Sequence, residues 1–265
     1  MTTDHQAAGS SGNDALLVVG HGTREPQGIA QFHQVVEQLR ESLAPWLVEP
    51  AFLELSPPPI AEGIAALAGR GATQITVAPL LLFAAGHALR DIPAVIAEAT
   101  ARYPQIEFRQ SRCLECHPAI VELSALRFQE TLTAAGPRPQ VDAADTLLLF
   151  VGRGSREPAA NAEMFRFARL RFETTPVGWV EVCFTALTEP SLERGLELAA
   201  RLPFGQVVVQ PHLLFDGELR QRIERQTAAA RRSCPQKRWL VTAPLGAHRL
   251  LVDAVEELAG TQGVR

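Results

Sequence analysis

Three ionisable side chains early in the chain, His21, Glu54 and His87, each fall at or just past the end of an apolar run. His21 lies between two glycines in Gly20-His21-Gly22-Thr23-Arg24-Glu25-Pro26, directly after Ala15-Leu16-Leu17-Val18-Val19. Imidazoles hold borderline divalent ions such as Co2+, Ni2+, Fe2+ or Zn2+, and each can also take a proton near neutral pH. A glutamate beside them completes a coordination sphere or receives protons. The plainer reading makes His21 a loop residue with one structural hydrogen bond and leaves Glu54 solvated ahead of a helix. The glycines flanking His21 favour close approach of a ligand. Arginines cluster near the same ends: Arg24, Arg90, Arg112, Arg153, Arg156, Arg220 and Arg249. Lining one cleft, they would draw a polyanion; otherwise they are solvated surface groups.

The elements that must position these residues alternate in type. A buried strand over 14–20 leads to a helix over 26–43, with Pro26 suited to its first turn. An extended run over 46–55 carries Glu54, and Ser56 followed by Pro57 reads as a helix start. The apolar strand over 74–82 suits a sheet covered on both faces. A loop over 83–90 holds His87 and Arg90, with Asp91 as the cap of the next helix. A strand near 106–108 and a helix over 118–132 complete the half. Strands at 146–151, 178–184, 206–211 and 238–242 follow, with helices at 158–172, up to 200 with Thr188 as cap, 217–232 and 248–259. The alternation predicts an α/β fold of two similar Rossmann-like domains, each a mainly parallel sheet flanked by helices. The boundaries expected are 14–135 and 145–259, with 1–13 a flexible tail and 136–144 a linker rich in proline, glycine and small residues.

The chain repeats itself. Leu147-Leu148-Leu149-Phe150-Val151-Gly152-Arg153-Gly154-Ser155-Arg156-Glu157-Pro158 restates the opening phrase 132 residues later. The same offset pairs Glu54 with Ala186, Pro79 with Pro211 and His87 with Leu219, and one residue of slippage pairs His117 with His248. Only the first half keeps the ionisable set. At strand ends in open parallel sheets, these residues can face one crevice.

Composition narrows the classes. A net charge of -4 gives no global pull toward nucleic acid or an anionic membrane, and one tyrosine with three tryptophans leaves little for base stacking. Lys237 is the only lysine, so positive charge is almost all arginine; this suits bidentate recognition of carboxylates, and a GC-rich genome produces the same bias. Apolar runs stay short of a membrane span. Four cysteines make no disulfide framework, and the first residues carry no secretory pattern, so a cytoplasmic protein is expected. The glycine turns are neither a P-loop nor a GxGxxG fingerprint. Cys113-Leu114-Glu115-Cys116-His117 matches a c-type haem attachment pattern, but its histidine is repeated as His248 without cysteines. Metal or cluster ligands, a redox pair and buried incidental thiols remain as readings of Cys113 and Cys116.

Gly20-His21-Gly22-Thr23-Arg24, Pro79-Leu80-Leu81-Leu82-Phe83 leading through Gly86-His87 to Asp91-Ile92-Pro93, and Pro244-Leu245-Gly246-Ala247-His248 together resemble the sirohydrochlorin chelatases of the CbiX and SirB type. The resemblance covers residues 14–258 and implies the long, duplicated form, with the active site in a cleft between two chelatase-like domains. It implies insertion of Co2+, or else Fe2+, into sirohydrochlorin for cobalamin or sirohaem synthesis, without ATP. His21 and His87 take the places of the two family histidines as catalytic and metal-binding residues, and Glu54 that of an acidic helper. Arg24, Arg90, Arg153 and Arg156 are the expected contacts to substrate carboxylates; Leu82, Phe83, Leu214 and Phe215 would pack on the ring if they are not core. The metal is a substrate, no tightly bound cofactor is expected, and the chain lacks the cluster-binding tail of some long members, so an iron–sulfur cluster is not expected. The expected partner is a small-molecule tetrapyrrole, with the chain a pseudo-dimeric monomer or a homodimer. A nickel chelatase of the same fold, or a non-catalytic tetrapyrrole or metal carrier, are the alternatives.

Overall fold

The computed structural model describes residues 13–136 and 142–261. Most of the expected linker and all but one residue of the expected tail lie outside these. The first half runs β1 (Asn13–Gly20), α1 (Pro26–Ser42), β2 (Leu47–Phe52), α2 (Ile60–Gly69), β3 (Ala72–Pro79), a π-helical turn (His87–Asp91), α3 (Ile92–Arg102), β4 (Glu107–Gln110) and α4 (Pro118–Ala134). The second runs β5 (Thr146–Gly152), α5 (Pro158–Thr174), β6 (Trp179–Phe184), α6 (Leu192–Arg201), β7 (Gln206–Pro211), α7 (Glu218–Ser233), β8 (Arg238–Val241) and α8 (Arg249–Leu258). Both sheets are wholly parallel, in the orders β2-β1-β3-β4 and β6-β5-β7-β8. Chain order reverses beside β1 and β5, which opens a crevice at the carboxyl ends of those strands.

The period of two in each strand divides the core into layers. Ala15, Leu17 and Val19 of β1 face Ile60, Ile64 and Leu67 of α2 and Ile92 of α3. Leu147, Leu149 and Val151 of β5 likewise meet Leu192 and Leu196 of α6 and Ile223 of α7. The alternate residues, Leu16 and Val18 with Leu148 and Phe150, belong to one central core shared by both halves. That core is filled from α1 (Phe32, Val35, Val36, Leu39), α4, α5 and α8. Each buried Leu, Ile or Phe is worth about 1.5–3 kcal/mol, so this continuous core holds the halves as one body. Arg171 is buried inside it, with Nε donating to Ser124 Oγ at 3.0 Å. Burial pulls its pKa down to about 10. Among the described residues no helix is long and apolar enough to cross a membrane.

Three local expectations are corrected. Helix α2 begins at Ile60, not near Ser56, because Pro57, Pro58 and Pro59 hold an extended approach in which Phe52 N donates to Pro58 O at 2.8 Å. Asp91 does not cap α3: its own backbone is already helical and its side chain is engaged elsewhere. Ser191, not Thr188, caps α6, accepting from Arg194 N at 3.3 Å.

The Cys113–His117 phrase forms a turn that leads into α4. His117 caps α4 and His248 caps α8, each accepting on Nδ1 from the backbone two residues on. Glu115 adopts a φ of 45° where the second half uses Gly246 at 71°. Burial pushes the Cys113 and Cys116 thiols up to about 12, Glu163 adding to the effect on Cys116. Cys116 Sγ lies 3.5 Å from Glu163 Oε2, while His117 Nε2 faces Glu257 at 3.4 Å.

Candidate active site

The site is assembled by three loops at the carboxyl ends of β1, β2 and β3. Past the last strand residues the ladder continues in backbone bonds, Leu53 N to Gly20 O at 3.0 Å and Glu54 N to His21 O at 3.1 Å. This lays the β2 loop along the β1 loop and sets Glu54 beside His21. Gly22 makes the approach feasible: its φ is +92°, and a Cβ there would lie 1.7 Å from Glu54 O. Ser56 then locks the two loops, its Oγ donating to Thr23 O at 2.8 Å and accepting from Thr23 N at 3.1 Å.

His87 arrives on the π-helical turn, an irregularity that recurs at functional sites. Its Nδ1 lies 2.6 Å from Asp91 Oδ2, one turn on. With Nδ1–H donating to that carboxylate, the lone pair of His87 is on Nε2. Gln110 of β4 braces the turn by donating to Ala88 O at 2.9 Å. Asp91 is the His87 partner that sequence reasoning misassigns as a cap; its four-residue spacing from His87 is the signal that could have found it.

His21, Glu54 and His87 converge. One ligand atom from each lies within 4.8 Å of the others, and this is the grouping among the described residues able to hold a metal ion. The two imidazoles meet edge to face, with ring centres 5.1 Å apart. Glu54 Oε1 is 3.5 Å from His21 Nδ1. On the other edge of the ring, Arg153 of the second half places Nη1 2.8 Å from His21 Nε2. A guanidinium only donates, so Nε2 accepts and the imidazole is neutral with its proton on Nδ1. Burial lowers the pKa of His21 below its ordinary value, and Arg153 lowers it further, against the opposing pull of Glu54. A neutral imidazole is the form that binds metal.

The repeat explains the cleft. His21 and Arg153 hold the same place in their halves, and they touch across the boundary between them. Gly154 at φ +86° packs on Ala186 O as Gly22 packs on Glu54 O. Arg153 is anchored by Ala186 N and Thr185 Oγ1, both donating to its carbonyl. The other arginines separate into kinds. Arg90 crosses the boundary to Glu157 at 2.9 Å. Arg24 and Arg156 are exposed and make no ion pair among the described residues. Arg220 is held by Asp216 and Glu224, and Arg249 by Asp253 and Glu256. Leu82, Phe83, Leu214 and Phe215 are half-buried against the central core, Phe83 packing on His212 with ring centres 5.3 Å apart.

A model of the CbiX family matches residues 15–131 and again 147–261. The chain belongs to the CbiX family. The double match reproduces the internal repeat. Among curated relatives, a sirohydrochlorin ferrochelatase of Priestia megaterium is 34% identical over 255 residues, covering 94% of this chain and 92% of the relative. A sirohydrochlorin cobaltochelatase of the same organism is also 34% identical, over 79% of this chain and 67% of that one. Among solved structures, SirB from Bacillus subtilis with Fe3+ superposes with a TM-score of 0.81 at 27% identity, covering 95% of this chain and 98% of that one.

Proposed function

We propose that this protein inserts a divalent first-row metal ion, Co2+ or Fe2+, into sirohydrochlorin. The observation that carries the reading is the convergence of His21, Glu54 and His87 within 4.8 Å at the boundary between the halves, with a cationic side chain on the opposite lip. Support comes also from relatives whose names specify that reaction with each of the two metals.

The mechanism follows from what the reaction must move. As M2+ enters the macrocycle, two pyrrolic N–H protons leave, so the site must deliver a cation and collect protons in one place. His87, held by Asp91, presents Nε2 to the metal. His21 supplies the second imidazole, and Glu54 the negative charge that a bare pair of imidazoles lacks. After the ion has moved on, the vacated histidines and Glu54 receive the released protons and pass them to solvent. The exposed Arg24 and Arg156, together with Arg153, pair with peripheral carboxylates and orient the ring over the ion. First-row ions share these ligands, so cellular supply takes part in choosing the metal.

The test is an insertion assay with purified protein and sirohydrochlorin, run in parallel with Co2+, Fe2+ and Ni2+. The wild type accelerates insertion of Co2+ or Fe2+ over the uncatalysed rate, and His21→Ala removes most of that acceleration without changing the far-UV spectrum. Preference for Ni2+ would make it a nickel chelatase of the same fold. Tight tetrapyrrole or metal binding without acceleration would make the protein a carrier, and near-normal turnover by His21→Ala would dismiss the site.

A further inference from the structure

Arg153 holds one edge of an imidazole that a metal ion would need. Its guanidinium is 2.8 Å from His21 Nε2, and among the described residues it has no carboxylate partner. Either way of using His21 as a ligand displaces it. Coordination through Nε2 needs the lone pair into which Arg153 donates. Coordination through Nδ1, on the Glu54 side, moves the ring proton to Nε2 and sets one donor against another. A second positive charge arriving at the same imidazole also repels the first.

The side chain is free to leave. It is exposed, and the one side-chain hydrogen bond described for it is to His21. What would draw it off is an anion suited to a planar fork of donors, which a carboxylate on the rim of the macrocycle is. Its backbone stays in place, because Ala186 N at 3.0 Å and Thr185 Oγ1 at 3.2 Å hold its carbonyl while the guanidinium swings.

We infer that Arg153 is an internal stand-in for the metal cation, which occupies His21 in the resting enzyme and is withdrawn by a carboxylate of the tetrapyrrole, so that each substrate promotes binding of the other. The inference rests on the metal-insertion reading and adds a mutual dependence that the reading alone does not require. By linkage, the factor by which tetrapyrrole raises metal affinity is the factor by which metal raises tetrapyrrole affinity. The second copy of the glycine turn thereby acquires a role of its own, since the half without the histidine carries the residue that guards it.

The experiment compares wild type, Arg153→Ala, His21→Ala and the double variant by Co2+ titration calorimetry without tetrapyrrole, then by initial rates with Co2+ and sirohydrochlorin varied together. Arg153→Ala is expected to bind Co2+ alone about tenfold more tightly than wild type, since a charge-assisted hydrogen bond no longer competes. Its KM for sirohydrochlorin rises, and its KM for Co2+ no longer falls as sirohydrochlorin is raised, as it does in wild type. Equal or weaker Co2+ binding by Arg153→Ala, with His21→Ala still abolishing binding, overturns the stand-in role and leaves the metal site intact. Co2+ binding indifferent to His21 overturns both.

Discussion

The His87–Asp91 pair makes a quantitative prediction, because the carboxylate does nothing else that the fold requires. It neither caps α3 nor pairs with another residue in a described ion pair. Removing it with Asp91→Ala frees His87 to rotate and to carry its proton on either nitrogen. A hydrogen bond to a charged group is worth about 1.5–3 kcal/mol. Here the side chains are 39% and 57% exposed, so solvent screening brings the value to about 1–1.5 kcal/mol. At roughly 1.4 kcal/mol per factor of ten, Asp91→Ala should weaken Co2+ binding about five- to tenfold. That is at or just below the lower end of the roughly 10–100-fold range for lost outer-shell partners of metal-binding histidines. Asp91→Asn retains an acceptor for Nδ1–H and should lose only about two- to threefold, the difference between a charged and a neutral acceptor. The dissociation constant is read from the visible absorption of bound Co2+ at fixed pH, with thermal unfolding as the control for fold. Co2+ affinity of Asp91→Ala within twofold of wild type, at unchanged melting temperature, would refute the orienting role.

Two further predictions concern the frame of the site. Gly22→Ala should abolish metal binding and destabilise the protein by more than the roughly 1–2 kcal/mol of left-handed strain alone, since its new Cβ would meet Glu54 O. Gly71→Ala is the comparison, having φ +82° but no heavy atom nearer than 3.5 Å to the added Cβ; chemical denaturation of the two variants gives the difference, and equal losses would discount the loop contact. His212 is buried against Phe83, Phe150 and Phe167, and burial, with Arg171 adding to it, lowers its pKa to about 3. Between its unfolded value of 6.5 and about 3, the unfolded chain holds the extra proton, so acid favours unfolding. Stability should therefore fall as pH drops through that window, by up to roughly 1.4 kcal/mol per pH unit from this residue. His212→Leu, the residue at the matching position Leu80, should flatten that acid limb in urea titrations; an unchanged slope would show that His212 does not set it.

Much was legible in the chain itself, because its signals are local or repeated. Apolar runs ending in glycine or proline mark the strands, the recurrence of Gly-X-Gly-Ser/Thr-Arg-Glu-Pro marks the duplication, and histidines past strand ends mark the candidate site. Parallel strands deliver their next residues to one edge of the sheet, so His21, Glu54 and His87 could share a crevice, and the strand order β2-β1-β3 makes them neighbours. Tertiary structure decided what local pattern leaves degenerate. An aspartate before Ile-Pro looks like a cap from the sequence, but the π-helical turn aims Asp91 back at His87. In CxxCH the spacing shows only three side chains of one phrase, while the fold makes the histidine the cap of α4 and buries Cys113. Above all, the offset of 132 residues says that His21 and Arg153 are equivalent, and says nothing of their meeting. Their contact exists because the central core packs the halves so that both glycine turns reach the same crevice, where the arginine of one turn is held against the histidine of the other.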